Sequence, residues 1–260
     1  MKQIFSVLIM MAMMACNGVK ESKDASSQAV PFIGQPDVKI ENGQMTPEVL
    51  WAFGRVGNLS ASPDGKRVAY TVTYYSIAEN KSNADIFIVD SDGRNRKQLT
   101  KTTAREGSLA WLPSGKAIAF VREGKLWNID PDSGAETQVS NIEQSIDGFL
   151  YAPADNRIAF VISVKLEKYK AQEKYDDLKK AEAYVYDDLM YRHWNEWKDG
   201  YYNHVFIGQI QNGSVKTVED VMPDEPFDAP VKPFGGTEGI AWSADAQTLV
   251  YTCKKLVGKA

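Results

Sequence analysis

Asp188 to Trp197 reads DLMYRHWNEW and concentrates the chain's most reactive side chains. Tyr191, Arg192, His193, Trp194, Glu196 and Trp197 can donate protons, pair charges or stack, and His193 is one of only 2 histidines. Covalent catalysis needs a hydroxyl or thiol beside a base and an orienting group, and the stretch holds no Ser, Thr or Cys. A metal site would need His193 and His204 to approach across a hairpin, with Asp187 or Glu196 completing the set. That set offers two nitrogens, no thiolate and no ligand-like spacing. Two readings remain open. In one, Trp194 and Trp197 pack between sheets, Arg192 pairs with a carboxylate and His193 is hydrogen-bonded in a strand. In the other, the stretch is a recognition surface.

The elements around it set its geometry. As one strand, Tyr191 to Trp197 would put Tyr191, His193, Asn195 and Trp197 on one face and Arg192, Trp194 and Glu196 on the other. Lys165 to Ala183, rich in Lys, Glu, Ala and Leu, predicts a charged helical excursion with a solvated face ahead of it. After it, KDGYYN is expected to turn the chain so that HVFIGQI pairs back on the stretch. MPDEPFDAPVKPFGG, residues 222 to 236, carries four prolines and reads as an ordered connector without chemistry of its own.

The wider pattern is repetitive. ASPDGKRVAYTV (61–72), WLPSGKAIAFVR (111–122), YAPADNRIAFVI (151–162) and WSADAQTLVYTC (242–253) share one order: an aromatic or small residue, a turn, then a β-rich strand. Pro63, Pro113, Pro153 and Ala244 mark the turns, at intervals of 50, 40 and 91 residues. The last interval is two periods, or one period with an insertion. ADIFIVDSDGRNRKQLT, GKLWNIDPDSGAETQVS and NHVFIGQIQNGSVKTVE each read as a strand, a glycine turn and a second strand, which is a hairpin. One repeat is therefore two linked hairpins, a four-stranded unit of the size of a propeller blade. The fold class expected is all-β: a partial β-propeller with three complete blades and the start of a fourth. It carries a short N-terminal helix capped by Thr46 with Pro47 in its first turn, and a helical insertion in the third blade. Such blades bury their faces only against neighbours. The chain stops at KKLVGKA just after a lone opening strand, so an interrupted ring is expected, with self-association through open blade edges.

Composition narrows the partners. The 260 residues carry a net charge of −4 and no basic block, which argues against nucleic acid. MKQIFSVLIMMAMMAC has one Lys and an apolar run too short to span a bilayer, and residues 1–15 read as a secretory signal peptide. Ala15 before Cys16 resembles a bacterial lipoprotein cleavage box, with Met13 where Leu is usual. The expectation is export to the periplasm or cell envelope, a lipidated Cys16, a flexible tether over residues 16–44 and a propeller over 45–260. The membrane is then reached by the lipid anchor alone. Cys253, the other of 2 cysteines, has no disulfide partner left and no nearby His to activate it.

MTPEVLWAFGRVGNLSASPDGKRVAY, QVSNIEQSIDGFLYAP, DDLMYRHWNEW and VMPDEPFDAPVKPFGGTEGIAWSAD together resemble the N-terminal propeller of prolyl oligopeptidase-family serine peptidases. The match runs over about residues 45 to 260, in the same order, and is nearest the bacterial secreted dipeptidyl-peptidases and acylaminoacyl-peptidase-like enzymes. The resemblance implies a propeller that gates access to a catalytic α/β-hydrolase domain and binds short peptides. No cofactor and no metal are expected. No G-x-S-x-G nucleophile elbow occurs in the sequence, and EGSLA around Ser108 lacks the second glycine, so the chain as written is expected to end before the catalytic domain and to be inactive alone. In the family's dipeptidyl-peptidases, propeller residues hold the substrate's free amino group. Arg192, Trp194 and Glu196 are the residues proposed for that task, with Glu196 beside Trp194 as the ammonium anchor. The alternative is a non-enzymatic periplasmic propeller that binds peptides or proteins.

Overall fold

A computed structural model describes residues 31–189, 191–232 and 236–255. The signal peptide, Cys16 and most of the tether lie outside the described residues. Among the described residues no helix is long and apolar enough to cross a membrane.

Helix α1 (Pro47–Ala52) begins at Thr46, whose hydroxyl accepts the Val49 N–H at 3.3 Å, as the sequence predicts. Strands β1 (Arg55–Ala61), β2 (Arg67–Ser76), β3 (Lys81–Asp90) and β4 (Lys97–Gln98) follow. Then come β5 (Glu106–Trp111), β6 (Ile118–Arg122), β7 (Lys125–Ile129) and β8 (Glu136–Gln138). The third group starts with β9 (Ile146–Tyr151) and β10 (Arg157–Lys165). An insertion holds α2 (Ala171–Lys174), a 3-10 turn (Asp176–Leu178), β11 (Arg192–His193) and β12 (Glu196–Trp197). The group closes with β13 (Tyr201–Gln211) and β14 (Ser214–Asp220), and β15 (Ile240–Trp242) and β16 (Leu249–Tyr251) end the described strands.

Three antiparallel four-stranded sheets result, ordered β1-β2-β3-β4, β5-β6-β7-β8 and β9-β10-β13-β14, followed by the two-stranded β15-β16. Each of the three predicted hairpins is present. The Asn-Gly turn of the third places both central residues at positive φ, Asn212 at 50° and Gly213 at 74°, the twist that a two-residue hairpin requires. The 91-residue interval resolves as one period with an insertion, because β10 pairs directly with β13 from Arg157↔Gln209 to Lys165↔Tyr201.

The core lies between sheets. Ala69, Ile86 and Ile88 of the first sheet pack with Trp111, Ile118, Phe120 and Ile129 of the second. Ala119 and Leu126 of the second pack with Phe149, Ile158, Phe160 and Ile162 of the third. Val161 and Val205 of the third meet Met222, Phe227 and Ala229 of the Pro-rich connector, and Ile240 of β15. Cys253 packs on this last cluster as a partly buried apolar group. Each fully buried Phe or Ile contributes about 1.5–3 kcal/mol, and none of these side chains would be covered by one sheet alone.

The repeat also writes its own inter-sheet clasp. Arg67, first residue of β2, lies 5.1 Å from the ring of Trp111 in the next sheet. Arg157, first residue of β10, lies 5.3 Å from Trp242 in the sheet after it. The matching residue of the second sheet is Ala117, so the aromatic it faces in the repeat pattern, Tyr151, receives no cation among the described residues. Within the second sheet a buried ionic knot holds β5 and β6 to the connector from β4. Glu106 is fully buried and accepts from Arg122 Nε at 2.8 Å, Thr102 Oγ1 at 2.8 Å and Thr100 Oγ1 at 3.2 Å. Arg122 also donates to both oxygens of Glu136, at 2.6 and 3.1 Å. Burial pushes the Glu106 carboxyl above its usual range, against the pull of Thr102 and Arg122.

Candidate functional site

The insertion of residues 166–200 leaves the third sheet between β10 and β13, and its base is tightly fixed. Leu166 donates its N–H to Gly200 O at 2.9 Å, closing the loop at its root. Gly200 has φ +90°, and a Cβ there would sit 1.9 Å from Glu167 O, so no other residue fits. Glu167 accepts from the hydroxyls of Tyr169 and Tyr202 and pairs with Lys198 at 3.4 Å. Burial works to raise the Glu167 pKa, but the two phenols and the ammonium outweigh it and hold the carboxyl below its usual range. The Lys198 ammonium lies 4.9 Å from the Tyr169 ring and 5.8 Å from Tyr202, a cation between aromatic faces.

The predicted helix over Lys165 to Ala183 shrinks to α2 and one 3-10 turn. Lys165 belongs to β10, and the rest folds back on itself: Ala171 donates to Ala183 O and Val185 to Tyr169 O, both at 2.8 Å. Isolated helices of this length are marginal in water, and cross-chain bonds and stacked rings win here. Tyr169, Tyr184, Tyr186, Tyr191 and Trp197 form a chain of stacked or tilted rings with centroids 5.2 to 6.4 Å apart. The segment's charges are mostly spent on local pairs, Lys165 with Glu173, Lys174 with Asp187 and Lys179 with Asp176.

The DLMYRHWNEW stretch is not one strand. It is a tight hairpin in which Arg192 pairs with Trp197 and His193 with Glu196, and Trp194 and Asn195 make the turn. Its partner is itself: β13, which carries HVFIGQI, pairs with β10 instead. Opposed residues of an antiparallel pair share a face. Arg192 therefore lies with Trp197, its guanidinium 5.5 Å from that ring, and Glu196 lies with His193. The expected grouping of Arg192 with Glu196 is overturned by the turn at Trp194. That residue sits at φ 50°, a left-handed conformation that bulky side chains rarely take.

Nor do the tryptophans pack between sheets. Trp194 is 77% exposed and Trp197 is half exposed. Among the described residues Arg192 has no carboxylate partner, and Glu196 has no ion pair. Leu189, Tyr191, Arg192, Trp194 and Trp197 line an open cavity of about 560 Å³. Leu189 escapes a sequence reading that ranks residues by their chemistry, since an exposed Leu carries none. The Glu167–Lys198–Tyr202 knot escapes it as well, because its members are spread over three segments.

The two histidines do not meet. His204 is fully buried in β13, opposite Ile162, with Nδ1 2.8 Å from Asp220 Oδ2 and Nε2 2.9 Å from Glu225 O. Nδ1 thus ties β13 to the end of β14, and Nε2 holds the Pro-rich connector to the third sheet. His193 stacks on Trp194, and its Nε2 is buried without a hydrogen-bond partner among the described residues. Among the described residues no three His, Cys, Asp or Glu side chains converge as a metal site.

Radial four-stranded sheets with their core between neighbours define a propeller segment, here with one aromatic hairpin projecting from its third blade. No protein-family model matches the chain. It is 37% identical over 244 residues to dipeptidyl-peptidase 5 of Porphyromonas gingivalis, covering 90% of this chain and 35% of that one. It is 35% identical over 222 residues to dipeptidyl-peptidase 5 of Porphyromonas endodontalis, covering 84% and 32%. The chain thus spans about a third of the length of these relatives. Pyrococcus horikoshii acylaminoacyl peptidase shares the fold, with a TM-score of 0.50 at 19% identity over 66% of this chain and 26% of that one. The chain belongs to the prolyl oligopeptidase family, as a segment of its propeller.

Proposed function

We propose that the chain is the substrate-gating and recognition part of an exported dipeptidyl-peptidase, tethered to the cell envelope through acylated Cys16. The observation that carries this reading is the 37% identity to a dipeptidyl-peptidase across 90% of the chain. Peptide-bond cleavage then falls to a hydrolase domain of the family's kind, since no G-x-S-x-G elbow occurs in these 260 residues.

Within that reading the hairpin of β11 and β12 binds the free amino end of a short peptide. Glu196 supports this role: it is an exposed carboxylate without a cation partner among the described residues, opposite His193, whose ring stacks on the exposed Trp194. A carboxylate with an aromatic wall suits an ammonium group, by charge-assisted hydrogen bonding and cation–π attraction. Arg192 lies across the hairpin's other pair and takes no part in the amine anchor. The strain at Trp194 fits a functional position, since such conformations concentrate at binding sites.

The test is peptide binding followed by tryptophan fluorescence. Free-amine peptides are expected to bind about tenfold more tightly than their N-acetylated forms, and Glu196→Gln to remove most of that difference. Equal affinity for both forms in the unsubstituted chain refutes the amine anchor.

A further inference from the structure

The cavity beside the hairpin has a chemistry of its own. Its lining residues among the described ones are Leu189, Tyr191, Arg192, Trp194 and Trp197. They contribute one full positive charge and no carboxylate. Their side-chain polar groups are guanidinium, indole N–H and phenol O–H, all of them donors, and only the phenol also accepts. The Arg192 guanidinium makes no hydrogen bond or ion pair to the described residues and lies over the Trp197 ring. A guanidinium stacked on an indole keeps its N–H fork free for a planar acceptor. The remaining walls are apolar or aromatic faces.

We propose that this cavity is a subsite for a carboxylate carried on an apolar or aromatic peptide frame. The carboxylate meets the Arg192 fork, and the neighbouring side chain lies against Tyr191, Trp194 and Trp197. A phosphate group fits less well, since phosphate sites gather several cations or a helix N-terminus, and one guanidinium stands here. The inference rests on the peptide-recognition reading above and names a substrate class for it: peptides with an acidic group next to an aromatic residue. Glu196, on the hairpin's other pair, remains free for the amine.

The experiment uses the 260-residue chain and a set of short peptides, with affinities taken from calorimetry and tryptophan fluorescence. One pair differs only in Glu against Gln beside a Phe, with an amidated C-terminus. A second pair carries Gln and differs in a free against an amidated C-terminus. Each peptide is also made N-acetylated. The expected result is an affinity about tenfold higher for the carboxylate-bearing member of at least one pair, and the pair that responds identifies side chain or chain end as the source. Arg192→Gln is expected to reduce that ratio to about one with the neutral peptide's affinity unchanged, and Arg192→Lys to keep roughly a threefold preference. Arg192 is exposed and unpaired among the described residues, so both variants are expected to melt with the unsubstituted chain. A ratio of one in both pairs, or a ratio that survives Arg192→Gln, overturns the proposal. A carboxylate preference that persists when acetylation has no effect sustains the subsite while refuting the amine anchor. An effect of acetylation without any carboxylate preference does the reverse.

Discussion

Arg122→Met is the sharpest test of the buried ionic knot that ties β5 and β6 to each other and to the connector from β4. The substitution keeps an unbranched stem against Phe120 and Trp127, whose rings lie 5.1 and 5.3 Å from the guanidinium carbon. It removes the only cation paired with Glu106 among the described residues, and the Glu106 side chain is 0% exposed. Glu106 then retains two threonine hydroxyls. Breaking a buried pair by removing one partner costs about 3–5 kcal/mol, because the other charge stays buried. Glu136, the second partner, is 26% exposed and returns to water, so it adds about 0–1 kcal/mol. For a chain of this size the melting temperature is expected to fall by roughly 6–20 °C. A variant that also carries Glu106→Gln is expected to recover more than half of that loss. The pH dependence has a definite sign. Burial already raises the Glu106 pKa above 4.5, and loss of the guanidinium raises it further. The folded state then holds a proton that the unfolded chain has released, so stability falls as pH rises from 4.5 through the folded value. The deficit of Arg122→Met is therefore expected to shrink on acidification toward that value and to be largest near neutrality. Thermal melts by tryptophan fluorescence between about pH 5 and 8 measure it. A loss below about 1 kcal/mol, the size of a surface pair, or a double variant that is as unstable as both single losses added, refutes the buried-joint account.

Gly200→Ala is expected to destabilise the root of the insertion and to lower the melting temperature by several degrees, because the added Cβ meets Glu167 O and φ +90° disfavours it. Proteolysis within residues 166–199 should accelerate in the same variant, and an unchanged melt and cleavage rate would show that the root of the loop does not require glycine. Trp194→Gly relieves the left-handed strain and is expected to leave the melt unchanged or raise it by an amount worth up to about 1 kcal/mol, while peptide affinity falls. A variant that binds peptide as well as the unsubstituted chain removes Trp194 from the site.

The blades are legible in the sequence because their signals are local. Asn212-Gly213 and the Pro63, Pro113 and Pro153 turns mark reversals by backbone sterics, and alternating apolar residues between them define strands. Thr46-Pro47-Glu48 marks a helix start for the same reason. Even Ala246, standing where Gly65 and Gly115 stand, adopts their positive φ, at 59° against 69° and 69°, whereas Asp155 at the same place in the third repeat does not. The insertion is legible only as an irregular interval. Its path depends on rings at Tyr169, Tyr184, Tyr186, Tyr191 and Trp197 that have no shared period, and on a glycine whose need is set by Glu167, 33 residues earlier. The hairpin reads as a strand because Trp194 gives no turn signal: glycine is the residue expected at that φ. Glu106 is invisible, because nothing local tells a buried, paired glutamate from an exposed one.

The division of labour between blades and hairpin is tested most directly by replacing residues 189–197 with a short Gly-Ser linker and measuring both the melt and peptide affinity. If the sheets carry the fold and the hairpin carries recognition, the variant melts within a few degrees of the unsubstituted chain and binds free-amine peptides at least about tenfold more weakly. Undiminished peptide binding in a folded variant would contradict it and place recognition on the sheets themselves.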